Sequence, residues 1–190
     1  MQIRELTIGQ TRLIYEKYMC DDFTADEMKP FNVIEKLMEQ KVYICCGLYD
    51  DENLKAYACL FSKDKNSCIL IDYYAVISLN RGQGYGSIFL RLLRKKFYEY
   101  KGCIAEVEKV DTAYNEQERK IRERRVNFYL RNGMQKTEIS SRLFDSEFQI
   151  MYMPINKSRD DVCVYDEIKY IYYRSFPKKI REKYIKLYID

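Results

Sequence analysis

The sequence predicts a mixed α/β (α+β) fold, and three features carry that expectation. Apolar runs of strand length recur at residues 42–49, 54–62, 68–76 and 103–110. Between and after them, residues 85–100 and 116–131 carry helical spacing. At 190 residues the chain has the size of one ordinary domain, able to bury a core without staples.

Residues 3–6 read as a short opening strand. Thr7 is placed to cap a helix whose apolar positions are Leu13, Ile14 and Tyr18. A second helix is expected over about 27–40, with Val33, Leu37 and Met38 inward. Residues 42–49 and 54–62 then form a hairpin around the turn cluster Asp50-Asp51-Glu52-Asn53. The apolar run 68–76 is a third long strand, followed by a loop over 77–86. Beyond the loop, Phe89, Leu92, Leu93, Phe97 and Tyr100 follow helical spacing, with Arg91, Arg94, Lys95 and Lys96 on the other faces. Residues 103–110 form a strand, 116–131 a charged helix, and Asn132-Gly133 its stop. Residues 135–141 and 147–153 read as a closing strand pair. The segment 164–189 is rich in Tyr, Ile and Lys at helical intervals and is broken at Pro177, so a helical extension is expected there.

Composition removes several function classes. The chain has no histidine, which excludes Ser-His-Asp and Cys-His nucleophile systems, histidine bases and His-ligated zinc. Any proton transfer must fall to carboxylates, tyrosines, thiols, an amine or water. The 7 cysteines are scattered, odd in number and form no C-x-x-C pair, so they read as reduced thiols, and no metal site is expected. The N-terminal residues lack the apolar stretch of a signal peptide, and no apolar run is long enough to span a bilayer. A cytoplasmic protein without a membrane partner is the expectation. The net charge of +4 is a mild excess. The basic clusters at 91–96, 119–125 and 178–186 read as solvated helix faces, and the acids Glu116, Glu118 and Glu123 dilute the second of them as a nucleic-acid surface.

The chemistry concentrates in the loop Arg81-Gly82-Gln83-Gly84-Tyr85-Gly86-Ser87. A glycine-rich turn that opens a helix directs unpaired amides and the helix dipole at one point, where a phosphate fits. A P-loop would need Gly-Lys-Ser/Thr at its end, which is missing. A dinucleotide fingerprint starting at Gly82 would place Ser87 at its third glycine, without the surrounding βαβ repeat.

Directly after the strand end Ala75-Val76, the pattern R-x-x-G-x-G at Arg81, Gly84 and Gly86 resembles the acyl-CoA pyrophosphate loop of the GNAT N-acetyltransferases. Downstream, Phe128-Tyr129-Leu130-Arg131-Asn132-Gly133-Met134 is similar to that family's F-Y-x-x-x-G-F helix ending. The element order corresponds as well, over roughly residues 1–155. The resemblance implies a central mixed, mostly antiparallel sheet, splayed between the fourth and fifth strands and flanked by helices. Residues 1–155 would be the acyltransferase core, and 156–190 a helical extension packed on the same domain.

It also implies that the amides of Gly82, Gln83, Gly84, Tyr85, Gly86 and Ser87 hold the pyrophosphate of acetyl-CoA, with Arg81 adding positive charge. The pantetheine arm would lie beside Tyr74, Ala75 and Val76, and the Val76 amide would polarise the thioester carbonyl. Tyr129 matches the family tyrosine that protonates the departing thiolate. Three positions depart from the pattern: Met134 stands for the final Phe, Arg122 where many members carry Asn, and Ser78 where Pro is frequent. Any ligand contact made by that Asn does not transfer.

For the base, strand alternation puts Asp72 with Tyr74 on one face, and Glu106 with Glu108 on another. An acid at the position of Asp72 occurs in a number of family members. The plain alternative for all three is a solvated sheet face. Cys68 and Cys103 are disfavoured as nucleophiles, because buried thiols are inert. The expected activity is transfer of acetyl from acetyl-CoA to a primary amine by direct attack in a ternary complex. The acceptor, a small molecule or a peptide N-terminus, would be selected by residues 13–40 and 135–153. A catalytically silent CoA-binding sensor is the alternative. Residues 164–189 cover the core, complete the acceptor site or form a homodimer contact, and the sequence does not choose.

Overall fold

The computed structural model describes residues 1–25 and 27–189. The chain forms two compact units, one of Met1–Ser62 with Ile71–Lys96, the other of Lys63–Leu70 with the chain from Phe97 on.

In the first unit, β1 (Gln2–Glu5) pairs antiparallel with β2 (Tyr43–Asp50), which pairs with β3 (Asn53–Ser62). The β2–β3 turn is closed by Asp50 opposite Asn53, with Asp51 at a φ of +52°. A short polar side chain tolerates that left-handed backbone, so the acidic cluster turns where expected. β4 (Ile69–Val76) follows, and its residues from Ile71 belong to this unit.

Thr7 and Gln10 form a capping box that starts α1 (Ile8–Ile14). The helix continues through a π-helical stretch, Tyr15–Met19, into a single turn, α2 (Cys20–Asp22). The inward face differs from the helical-spacing expectation. Leu13 is 66% exposed, while Thr11, Ile14 and Met19 are buried. Bonding from i to i+5 inserts one residue, so Met19, and not Tyr18, falls on the face of Ile14.

The next helix, α3 (Phe31–Glu39), begins four residues later than expected because Pro30 holds its N-cap in an extended conformation. Its buried face is therefore Phe31, Ile34 and Leu37, and Val33 points outward. In α4 (Tyr85–Lys96), Gly86, Phe89, Leu90 and Leu93 are buried, and Arg94, Lys95 and Lys96 complement the carbonyl end. Leu90 takes the inward place expected for Leu92, which is half-buried.

In the second unit, β5 (Gly102–Glu108) pairs antiparallel with β7 (Ser146–Pro154), and β7 with β6 (Gln135–Leu143). The charged helix α5 (Glu116–Arg131) has the expected bounds. The Asn115 side chain accepts from the Glu118 amide, acids fill the first turn, and Gly133 leaves the helix at a φ of +91°.

The C-terminal region holds a correction. Helix α6 (Asp161–Ser175) stops before Pro177 and α7 (Lys178–Tyr184) follows, but Ile185–Ile189 form a strand, β8, antiparallel to β6. Ile185, Leu187 and Ile189 alternate with period two, a signal masked by the helical spacing before them. Along the hydrogen bonds the strands run β1–β2–β3 in the first unit and β5–β7–β6–β8 in the second, and the fold is mixed, mostly antiparallel sheet flanked by helices.

Gly102 on β5 is required by a neighbour. A Cβ there would come within 2.3 Å of the Tyr152 ring, which is buried and whose hydroxyl donates to the Lys101 and Lys157 carbonyls. Gly102→Ala is expected to destabilise the fold by about 1–3 kcal/mol. The fall in Tm should be much smaller in a Tyr152→Leu background, where the two changes are non-additive. Equal falls in both backgrounds would rule the ring contact out as the cause.

Candidate functional site

After Val76 the chain makes one 3-10 turn, Ser78–Asn80, then the loop, then α4 from Tyr85. Gly82 and Gly84 both lie in the left-handed region, at φ of +79° and +83°. A Cβ at either position would meet no atom within 4 Å, so the backbone conformation, and not crowding, calls for glycine there. The space in front of them is open. Left-handed residues in such a turn gather successive amides into an anion-binding concavity. The first-turn amides of α4, at Tyr85, Gly86 and Ser87, have no intrahelical acceptor and add the dipole. The loop therefore fits a polyphosphate by geometry.

Arg81 is committed elsewhere. Its Nε donates to the Val76 carbonyl at 3.1 Å, and its Nη2 donates to Asp22 Oδ1 at 2.5 Å. Asp22, whose side chain is only 8% exposed, also accepts from the Tyr57 hydroxyl at 2.6 Å. Burial and then the Asp22 hydrogen bond push the Tyr57 phenol up. The guanidinium charge expected to face an anion is matched by a carboxylate the sequence did not single out. A second cation stands beside the loop: the Lys55 ammonium lies 5.6 Å from the ring centre of Tyr85. Gln83 donates to the Leu79 carbonyl.

Tyr74 fixes the strand to the helix start, its hydroxyl donating to the Gly86 carbonyl at 2.6 Å and its ring stacking on Phe89. Ala75 between it and Val76 is buried. Asp72, two residues upstream of Tyr74, is no bare carboxylate. Lys29 Nζ donates to both its oxygens at 2.8 Å, and the Tyr43 hydroxyl makes a short bond to Oδ2. Burial, with the nearby Asp72 charge, pushes the Tyr43 phenol far up. The first unit thus brings together the loop, Tyr74, Ala75, Val76 and Asp72.

The second unit holds Glu106, Glu108 and Tyr129. Glu106 accepts from the Ser141 hydroxyl at 3.1 Å and from the Tyr172 hydroxyl in a short bond. Glu108 pairs with Arg122 at 3.2 Å and Arg125 at 2.6 Å. Arg122 is buried and also reaches Glu118, the Lys109 carbonyl and Thr112. Its Nη1 and Nη2 donors all serve the protein itself, while its buried Nε has no hydrogen-bond partner among the described residues. Tyr129 is half-buried on α5, and burial raises its phenol pKa, with a further rise from Cys103 and an opposing pull from Arg125. The arginines of the basic stretch are largely paired, Arg119 with Glu116 and Glu123. An open cavity of about 710 Å³ lies in this unit beside Glu108, lined also by Tyr114, Arg119, Lys136 and Gln149.

All seven cysteines are free thiols, and five are buried. Burial pushes Cys46 and Cys68 up to about 12, and raises Cys103 as well. Thiols so protonated at neutral pH are poor nucleophiles. Among the described residues no group of acids and thiols could hold a metal, and no helix is long and apolar enough to cross a membrane.

The profile of the Acetyltransferase (GNAT) family matches residues 11–134. Among solved structures, the fold is similar to a GNAT-family protein from Bacteroides thetaiotaomicron, at 17% identity and a TM-score of 0.73, covering 91% of this chain and 96% of that one. It is also similar to the ribosomal-protein-S18-alanine N-acetyltransferase of Escherichia coli, at 15% identity and a TM-score of 0.59, with 84% and 97% covered. A third is the spermidine N-acetyltransferase of Vibrio cholerae, solved in complex with CoA and spermine, at 12% identity, a TM-score of 0.59, and 82% and 96% covered. Identities this low establish likeness of fold. No curated protein sequence matches the chain.

The thiols give a test of this electrostatic picture. In the native protein at pH 8, a thiol reagent should modify the exposed Cys20 first and the half-buried Cys163 next, and reach the other five only on unfolding. Because the native state keeps protons that the unfolded chain releases, stability should be full below about pH 9 and fall as the pH rises towards 12. A Tm independent of pH between 8 and 11 would contradict the raised thiol and phenol values.

Proposed function

Because the chain belongs to the GNAT acetyltransferase family, we propose that it is an N-acyltransferase that moves acetyl from acetyl-CoA to a primary amine by direct attack in a ternary complex. The observation that carries this reading is the loop, with left-handed glycines at 82 and 84, open space before them, and the first turn of α4 directly behind. Acetyl-CoA would supply the activated thioester. The amides of Gly82, Gln83, Gly84, Tyr85, Gly86 and Ser87 would hold its pyrophosphate. Arg81 would act by fixing the loop to Val76 and Asp22, and Lys55 would add local positive charge. Tyr74, Ala75 and Val76 would line the pantetheine arm, with the Val76 amide on the thioester oxygen.

The acceptor ammonium must lose a proton before it attacks. Asp72 and Glu106 are the carboxylates to take it, directly or through water; Glu108 is engaged by two arginines. Tyr129 keeps its proton at neutral pH. With a pKa raised above that of a thiol near 8.5, complete transfer to sulfur is uphill, so its role is a hydrogen bond to the leaving thiolate. The acceptor is a small-molecule or peptide amine, and a cytoplasmic location goes with that chemistry. One observation favours the sensor alternative: Asp72 and Glu108 are both ion-paired, so neither carboxylate stands unengaged to take a proton.

Two measurements separate the readings. Calorimetric titration with acetyl-CoA should show saturable binding that Gly84→Glu weakens at least ~100-fold, since each tenfold loss needs only 1.4 kcal/mol and a carboxylate would repel the pyrophosphate. In an amine panel followed by CoA release, Tyr129→Phe should lower kcat ~100-fold or more with unchanged acetyl-CoA affinity. Binding without turnover by any amine would leave the sensor, and no binding by folded protein would end both readings.

A further inference from the structure

Lys29 makes a bidentate ion pair in the first unit, and nothing in the proposed chemistry uses it. Its Nζ lies 2.8 Å from each oxygen of Asp72 and 5.3 Å from the ring centre of Tyr73, while Tyr43 donates to the same carboxylate. A carboxylate with an aromatic face beside it is the arrangement that recognises an ammonium ion. The site is not sealed, since the side chains of Lys29 and Asp72 keep 21% and 17% of their surface in solvent.

The ion pair is also not what holds the chain there. Lys29 lies on the connection between α2 and α3, outside helix and strand. Its backbone is fixed without the side chain: the Lys29 amide donates to the Tyr73 hydroxyl at 2.8 Å, that hydroxyl donates to the Glu27 carbonyl at 3.0 Å, and the Tyr15 hydroxyl donates to the Lys29 carbonyl at 3.2 Å. Three bonds seat the segment, and the ammonium is a fourth contact on a flexible stem, which can swing into water once another cation matches the Asp72 charge.

We propose that Asp72, Tyr43 and Tyr73 form an ammonium-binding subsite which Lys29 fills in the resting chain and which a cationic alkylamine ligand takes by displacing it. Lys29 is a tethered stand-in for the ligand's head group. The subsite would select amines that are charged at neutral pH and carry an alkyl stem like that of lysine. A resident occupant lowers the apparent affinity of any competitor by the fraction of time the subsite is filled, so the ligand must bring further contacts from its remaining structure to enter. As an acceptor site this inference rests on the acyltransferase reading, but the subsite itself is a matter of binding alone.

The test uses n-butylammonium chloride as probe, with sodium chloride at equal ionic strength as control, on the full chain without acetyl-CoA. In Lys29→Ala, and in Lys29→Met, which keeps packing on Tyr73, the probe should bind saturably by calorimetry and raise Tm. The wild type should bind it at least ~10-fold more weakly. Adding Asp72→Asn to Lys29→Ala should abolish the effect. The proposal is overturned if a folded Lys29 variant shows no saturable binding, if binding survives Asp72→Asn, or if neither Lys29 variant folds, since the ammonium would then be a structural requirement. No step involves acetyl-CoA, so this outcome is separate from that of the donor titration.

Discussion

The ion pair between Arg81 and Asp22 is the constraint on which the first unit's site is built. A carboxylate buried to that extent needs a partner, because an uncompensated charge away from water costs several kcal/mol. Arg81 supplies it, and by also donating to the Val76 carbonyl it fastens the end of β4 and the helical segment at residue 22 to the start of the glycine loop. Tyr57 on β3 completes the carboxylate's shell. Three elements distant in sequence are thereby set around one loop. In the proposed reading the pyrophosphate is then held by backbone amides, whose positions the tie fixes, and much less by the arginine's own charge.

The same rule of matched charge runs through the other candidate groups. Without histidine, the chain has no side chain that titrates near neutrality by default. Its carboxylates are satisfied by lysine, arginine or hydroxyl donors, and its buried tyrosines hold their protons more tightly than free phenols. Base strength in such a protein comes from releasing a carboxylate from its partner, not from tuning an imidazole. Asp72 is held by a lysine on a connecting segment and by the Tyr43 hydroxyl.

The glycine loop and the bounds of α5 were legible because their signals are local. Left-handed glycines, an Asn cap with acids in the first turn, and a Gly stop are fixed by a few neighbouring residues. Asp22 and Lys29 were not legible, since their meaning lies in contacts with Arg81 and Asp72, 59 and 43 residues away. The π-helical stretch was invisible for a different reason: one inserted residue shifts the buried face from Tyr18 to Met19 while leaving the composition unchanged. Strand β8 was hidden because alternating Ile185, Leu187 and Ile189 continue a segment whose earlier apolar spacing is helical. Asp72, Glu106 and Glu108 were found by strand alternation, which gives the face but not the partner.

Helix α5 shows why a partner matters. It is polar nearly all round, with Arg122 and Val126 its buried residues, so apolar burial alone holds it weakly. Its attachment comes from Arg122 and Arg125 gripping Glu108 on β5, reinforced by Arg122 bonds to the Lys109 carbonyl and Thr112. The same helix carries Tyr129. If Glu108 served as a proton acceptor, protonation in each cycle would weaken two ion pairs that seat the helix presenting the tyrosine. A group whose charge fixes the scaffold is poorly placed to lose it, which argues, within the proposed chemistry, for reading Glu108 as a positioning residue and Asp72 or Glu106 as the proton acceptor.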